Sequence, residues 1–171
     1  SMPTIKYLSN SGARVVICSH LGRPKGEKNE SLSLRIVAEY LNVPFVEDCL
    51  SNDFMKTMKD GDVVLLENLR FYKGEETNDD DFAQQLSSGF DIFVNDAFAV
   101  SHRAAASTVG VTKYLPSYAG LLLEKEIKNI SHFMEDATRP LPNASTRHAE
   151  NADGSKAILV EIARSEERFS R

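Results

Sequence analysis

Two short polar segments of this chain carry cationic side chains that could bind one anion together. His20 and Arg23 follow the apolar run 15–18, and Arg103 lies beyond the apolar run 92–94. A guanidinium group donates two parallel hydrogen bonds to a carboxylate or a phosphate, and an imidazole donates one from a ring nitrogen. The pattern therefore predicts a site for a small, doubly anionic molecule.

A parallel sheet would position these side chains at one edge. The runs 15–18, 63–66 and 92–94 are almost continuously apolar, and each ends in a polar loop. Such runs are typical of parallel strands that are covered on both faces. Open α/β sheets bind their ligands beyond the carboxyl ends of the strands. We therefore predict the anion site at that edge.

Arg103 has two possible roles at this edge. It can bind the ligand together with His20, or it can form a structural ion pair with Asp96 or Glu67. Both carboxylates follow predicted strands, so both roles agree with the sequence.

Signals for strands and helices alternate along the chain. This alternation is typical of right-handed βαβ units, so we predict an α/β fold, a doubly wound parallel sheet with helices on both faces. The predicted strands cover 13–18, 44–46, 62–66 and 91–94, and the predicted helices cover 3–11, 34–41, 53–59, 82–86 and 121–133.

Other segments allow alternatives. Residues 75–81 hold five carboxylates, which favour the solvated N-terminus of a helix, with a cation site as the alternative. Residues 157–162 form either a strand or part of a helix that runs to about 168. We assign residues 1–135 to one domain and residues 136–171 to a linker and a divergent tail of uncertain structure. Pro, Asn, Ser, Thr, Asp and Gly dominate residues 136–155, which is typical of a linker.

Composition excludes several classes of protein. The net charge of −5, with no basic tract, argues against a nucleic-acid partner. No apolar stretch approaches the roughly 20 residues that cross a bilayer, so we expect no membrane partner. Cys18 and Cys49 lack metal-ligand spacing and are expected as buried free thiols. Free thiols suit a reducing compartment, which predicts a cytoplasmic location, with an organelle interior as the alternative.

The sequence contains no familiar catalytic motif. It has no GxSxG, no HExxH and no Walker A or GxGxxG loop between a strand and a helix. Its visible chemistry is the binding of an anion. These anion-binding side chains are compatible with phosphoryl transfer, because that reaction depends on positioning and charge stabilisation more than on covalent catalysis.

Three motifs resemble the N-terminal, substrate-binding domain of phosphoglycerate kinase. They are residues 19–26 (SHLGRPKG), residues 66–71 (LENLRF) and residues 94–104, which contain VNDAF and SHRA. The resemblance extends from about Pro3 to Leu141. It implies a Rossmann-like domain that binds 3-phosphoglycerate, while a second domain of the family binds MgADP or MgATP for phosphoryl transfer in glycolysis or the Calvin cycle.

The resemblance also implies which residues contact the substrate. His20 and Arg23 match the substrate-loop histidine and arginine, and Arg103 matches the arginine of the His-Arg-Ala motif. Arg139, before Pro140, matches an arginine that precedes the crossover between the domains. These four residues would bind the phosphate or carboxylate of the substrate, while Asn68 and Asp96 match positions that shape the loops.

The chain departs from the family's pattern at both ends. The family begins with a strand that carries an Asp-x-Asn motif and then an arginine that stabilises the transferred phosphoryl group, and both would precede Pro3. After Leu141 the sequence diverges from the family. We therefore expect a fold that is incomplete relative to the family, no cofactor in this chain, and no catalysis by this chain alone.

Two other functions agree with these departures. The chain could be a non-catalytic binding or scaffold module derived from this domain, which associates with itself through an exposed sheet edge. On fold analogy alone, it could also be another flavodoxin-like binder of phosphate.

Overall fold

A six-stranded, all-parallel sheet forms the centre of the molecule, in the strand order β2-β3-β1-β6-β4-β5. The computed structural model describes residues 1–135 and 157–162. The strands are β1 (Arg14–Cys18), β2 (Phe45–Val46), β3 (Val63–Leu66), β4 (Ile92–Asn95), β5 (Ser117–Ala119) and β6 (Ala157–Glu161). The helices are α1 (Met2–Asn10), α2 (Arg35–Leu41), α3 (Lys73–Thr77), α4 (Asp80–Ser87) and α5 (Leu121–Glu135). The predicted α/β class and parallel sheet are confirmed.

Helices cover both faces of the sheet because the central strands are apolar on both faces. Along β1, Val16 and Cys18 face a core that includes Phe82 and Leu86 of α4. Val15 and Ile17 of the same strand face the opposite core, which contains Ile5 and Leu8 of α1, Leu34 just before α2, and Ala38 of α2. The side chains of a strand alternate between faces, so every residue of such a strand has a core partner.

Strand β6 lies between β1 and β4 and pairs in parallel with both. Ile158 is opposite Val15 on one side and Ile92 on the other. All five residues of β6 are buried, as expected for a central strand covered on both faces. The strand alternative for residues 157–162 is therefore correct, and this segment belongs to the same sheet as the strands of residues 1–135.

The structure differs from the sequence predictions at several elements. The predicted helix 53–59 is a single 3-10 turn, Asp53–Lys56, and the predictions include neither β5 nor the short helix α3. The interpretation of residues 75–81 as a solvated helix N-terminus is correct for Asp79, whose carboxylate accepts a hydrogen bond from the Phe82 amide at 2.8 Å. It is wrong for Glu75, which is buried in the short helix α3.

Several predictions fall outside the described residues. Arg139 and the linker 136–155 lie there, so they stay predictions. Within residues 1–135 and 157–162, no helix combines the length and the apolar composition that crossing a bilayer requires.

Candidate anion-binding site at the carboxyl edge of the sheet

The loop after β1 presents Arg23 to solvent and keeps His20 largely buried. His20 lies two residues beyond the end of β1 and is 8% exposed, whereas Arg23 is exposed. The turn between them uses Gly22, whose φ of +63° is a left-handed conformation that suits glycine. The first half of the predicted site is thus one loop with a buried imidazole and an exposed guanidinium.

The buried side of His20 faces a carboxylate from β6. His20 Nδ1 lies 3.6 Å from Glu161 Oε1, which has no hydrogen-bond partner among the described residues. The other oxygen of Glu161 accepts a hydrogen bond from the Cys18 thiol at 2.9 Å. Sequence reasoning missed this contact, because Glu161 is far from His20 in the chain and only the central position of β6 brings them together.

Arg103 belongs to the loop beyond β4 and is half-buried. Its amide donates to the Val100 carbonyl at 2.9 Å, and its own carbonyl accepts from the Thr108 hydroxyl at 3.0 Å. Because β6 separates β1 from β4, the two loops start about 10 Å apart, which is twice the spacing of neighbouring strands. The loop that carries His20 and Arg23 and the loop that leads to Arg103 therefore leave the sheet at the same edge.

Asp96 and Glu67 are the two carboxylates that could form a structural ion pair with Arg103. Each of them accepts hydrogen bonds from other groups. Asp96 accepts hydrogen bonds from the Thr4 hydroxyl at 2.9 Å and from the Leu122 amide at 2.9 Å. Asp96 thereby caps the N-terminus of α5, where an anion is favoured by unpaired amides and the helix dipole. Glu67 accepts from the Ser33 hydroxyl at 2.7 Å and the Leu34 amide at 2.8 Å.

Asn68 shapes the loop that carries His20 and Arg23. Its Nδ2 donates to the carbonyls of Leu21 at 2.8 Å and Leu32 at 2.9 Å. Its Oδ1 accepts from the amides of Leu21 at 3.3 Å and Arg70 at 3.1 Å. A fully buried asparagine that satisfies four main-chain groups fixes the loop, as the resemblance implied for this position.

A second buried carboxylate, Glu75, holds the segment that follows Arg103. Glu75 accepts from the Ser107 amide at 3.0 Å and from the Ser107 hydroxyl at 2.6 Å. Burial, followed by the nearby charge of Glu161, raises the pKa of Glu75 from 4.5 to about 7. Its position within an acidic run concealed this role in the sequence.

Neither cysteine is a reactive thiol. Burial raises the pKa of Cys18 well above its ordinary value, and the charge of Glu161 adds to that effect. Burial likewise raises the pKa of Cys49 to about 12. Within residues 1–135 and 157–162, no group of three His, Cys, Asp or Glu side chains has the arrangement of a metal site.

Comparison with known proteins gives one consistent family. The family described as phosphoglycerate kinase matches residues 1–143. The chain is 51% identical over 149 residues to a phosphoglycerate kinase of Borrelia garinii subsp. bavariensis, a match that covers 82% of this chain and 38% of that protein. It is 50% identical over 151 residues to a phosphoglycerate kinase of Trichodesmium erythraeum, with the same coverage of both.

Solved structures give the same result. The structure of phosphoglycerate kinase from Coxiella burnetii superposes with a TM-score of 0.66 and 41% sequence identity, over 77% of this chain and 35% of that one. The enzyme from Pyrococcus horikoshii superposes with a TM-score of 0.69 and 35% identity, over 81% of this chain and 38% of that one. The chain thus spans about 38% of the length of the curated relatives that it matches.

Proposed function

This chain belongs to the phosphoglycerate kinase family, and on that premise we propose that it is the half of such a kinase that binds 3-phosphoglycerate. In the complete reaction, a phosphoryl group moves between 1,3-bisphosphoglycerate and ADP, or between ATP and 3-phosphoglycerate. The chain supplies the substrate site and is not active alone.

The observation that supports this proposal most directly is the position of the cationic side chains. His20 and Arg23 follow β1, Arg103 lies beyond β4, and both strands end at the same edge of a parallel sheet. This is the edge at which α/β sheets bind ligands. 3-Phosphoglycerate carries a phosphate and a carboxylate at its two ends, so it can use cations from two separate loops.

Each side chain has a distinct role in the proposed complex. Arg23 and Arg103 bind the phosphate or carboxylate through two parallel hydrogen bonds each, and His20 donates from the ring nitrogen that does not face Glu161. Arg139 is proposed as a fourth ligand on the basis of its sequence motif. The cations bind and orient the substrate, and the phosphoryl group is transferred only when a nucleotide is presented.

We assign the magnesium nucleotide to a separate domain. The motifs of this chain contain no phosphate-binding glycine loop, and its described residues contain no cluster of metal ligands. These residues therefore do not fit a magnesium nucleotide.

Glu161 favours a second candidate, a non-catalytic module of this family that does not bind the substrate. A fully buried carboxylate 3.6 Å from His20 Nδ1 already provides that histidine with an anionic neighbour. A second anion near the same ring would experience repulsion from it. The two candidates differ in one measurable property, which is affinity for 3-phosphoglycerate.

Isothermal titration of the chain with 3-phosphoglycerate tests the proposal. We expect binding that weakens as salt is added, and a loss of about tenfold or more for Arg23→Met and for Arg103→Met. The control is Arg35→Met, which removes an exposed arginine of α2 that pairs with Glu47. Glu161→Gln should strengthen binding. If the wild-type chain and Glu161→Gln both fail to bind at millimolar ligand, the second candidate is correct.

A further inference from the structure

The loop of residues 19–26 has a backbone that needs support from outside. Gly22, Lys25 and Gly26 have φ values of +63°, +59° and +79°. The left-handed conformation is unfavourable for lysine, so the loop retains this shape only where other groups hold it. Arg23, the exposed cation of the proposed site, lies within this stretch.

Residues 68–70 provide that support at the start of the loop. The amide of Leu69 donates to the Ser19 carbonyl at 3.2 Å. The side chain of Asn68 pairs with both the amide and the carbonyl of Leu21. The segment that holds His20 is therefore bound on both sides of that residue.

Arg70 binds the loop on both sides of Arg23. Its Nη1 donates to the Gly22 carbonyl at 2.8 Å, and its main-chain carbonyl accepts from the Gly26 amide at 3.1 Å. One residue thus fixes both ends of the segment 22–26. Its side chain is buried, and Nε lies 3.5 Å from Glu76 Oε1 of α3, which holds the guanidinium in place.

The far end of the loop also packs against Lys73. A Cβ on Gly26 would collide with the stem of the Lys73 side chain, and would lie 3.1 Å from its Cα. The end of the loop therefore packs against Lys73 of α3 and is hydrogen-bonded to Arg70. Displacement of Arg70 would free the segment that carries Arg23.

We infer that Arg70 is a positioning residue, which determines where the Arg23 guanidinium stands for the anion without itself touching that anion. Arg70 donates to the Gly22 carbonyl, and Arg23 is exposed on the same five-residue segment, residues 22–26. A misplacement of about 1 Å in a group that contacts the substrate can lower the reaction rate by up to about 100-fold. A rigid support for Arg23 therefore has a large effect on how well it serves the substrate. The inference rests on the proposed function, because it assigns Arg23 to an anionic ligand.

The test compares Arg70→Met with Arg70→Lys in the same titration with 3-phosphoglycerate. Methionine approximates the length of the stem but donates no hydrogen bond, and we expect it to weaken binding by about tenfold or more. Lysine can still donate to the Gly22 carbonyl, so it should recover a substantial part of the affinity. A purely structural role would lower the unfolding temperature of both variants and leave the affinity of the folded protein unchanged.

Two further measurements keep the inference falsifiable. Glu76→Gln removes the charged partner of Arg70 from a partly exposed position, so it should fold and bind up to about threefold more weakly. Hydrogen exchange of the Gly26 amide should accelerate in Arg70→Met more than exchange of amides in α4.

The outcomes separate the two proposals. If the wild-type chain binds 3-phosphoglycerate and folded Arg70→Met binds it equally well, Arg70 has no positioning role and the inference is wrong. If Arg70→Met does not fold, the other two variants decide. Wild-type affinity for 3-phosphoglycerate in both Arg70→Lys and Glu76→Gln would show that Arg70 has no positioning role. If wild type and Glu161→Gln both fail to bind, the proposed function fails and the inference falls with it.

Discussion

The two loops of the candidate site are held by different chemistry. The loop after β1 depends on an amide and a guanidinium, since Asn68 and Arg70 bind its main chain. The segments after β4 depend on buried carboxylates. Asp96 caps α5 and binds Thr4, and Glu75 binds Ser107.

This difference has a consequence for pH dependence. Neither an asparagine nor an arginine changes its charge in the physiological range, so the support of the β1 loop is constant with pH. Glu75 has a pKa raised to about 7, so the support of the β4 side changes its charge near neutrality. The main chain of the β1 loop is therefore held by groups of constant charge, whereas a titrating group, Glu75, helps to hold the segment beyond β4.

The largest expected effect on stability is that of Asp96→Ala. The substitution removes an N-cap and leaves the buried Thr4 hydroxyl without its acceptor, for a combined cost of about 3 to 4 kcal/mol. Urea unfolding measures this cost. The control is Asp60→Ala, which removes an exposed carboxylate from a turn, and which should cost less than about 0.5 kcal/mol. Equal costs for the two variants would contradict the assigned role of Asp96.

Glu75→Gln should remove the pH-dependent contribution of Glu75 to the free energy of unfolding. The raised pKa means that the folded state favours the protonated acid, so the stability that Glu75 contributes is complete below pH 4.5 and is lost as the pH rises to about 7. Glutamine imitates the protonated acid. The variant should gain up to about 3 kcal/mol over wild type at pH 8 and nothing at pH 4.

Urea unfolding of both proteins at several pH values measures this difference. Glu39→Gln is a matched control, because Glu39 is an exposed glutamate of α2. It should leave the pH dependence of the free energy of unfolding unchanged. A Glu75→Gln profile parallel to that of wild type would show that Glu75 does not titrate in this range.

A smaller effect is expected for Gly26→Ala at the end of the β1 loop. Alanine is disfavoured at a φ of +79°, and its Cβ collides with Lys73, so we expect a cost of about 2 kcal/mol. Gly12→Ala is the control, because Gly12 has a φ of +84° and no atom within 4 Å of its Cβ position. Urea unfolding measures the loss of stability for both variants. The additional loss in Gly26→Ala over Gly12→Ala reports the contact with Lys73, and equal losses would show that the loop does not pack against Lys73.

The smallest effect on stability is expected for Arg23→Met. Arg23 is exposed, so its removal should change the free energy of unfolding by less than about 0.5 kcal/mol. The affinity of the Arg23→Met variant for 3-phosphoglycerate should nevertheless fall. A large loss of stability, measured by urea unfolding, would show that Arg23 supports the loop instead of serving a ligand.

The sequence predicted the parts of this molecule that depend on local patterns. The runs that became β1, β3 and β4 are short, apolar and followed by polar loops, so their structure and their common edge could be predicted. Each bound differs from the predicted one by no more than one residue. The three-residue strand β5 has too little pattern to be recognised.

The parts that depend on distant contacts could not be predicted. Glu161 reaches His20 only because β6 lies between β1 and β4, and nothing in residues 157–162 specifies that place. Glu75 is buried because Ser107 approaches it from a distant part of the chain. Pairing between remote segments leaves no local signal, so burial of these two carboxylates was not visible in the sequence.

A double-mutant cycle between Arg23 and Arg103 tests most directly whether the two loops bind one ligand. The free energy of 3-phosphoglycerate binding is measured for wild type, Arg23→Met, Arg103→Met and the double variant. If both guanidinium groups bind the same molecule, the losses should differ from additivity by about 0.5 kcal/mol or more. Measurable binding to wild type that neither substitution weakens would contradict a site shared by the two loops.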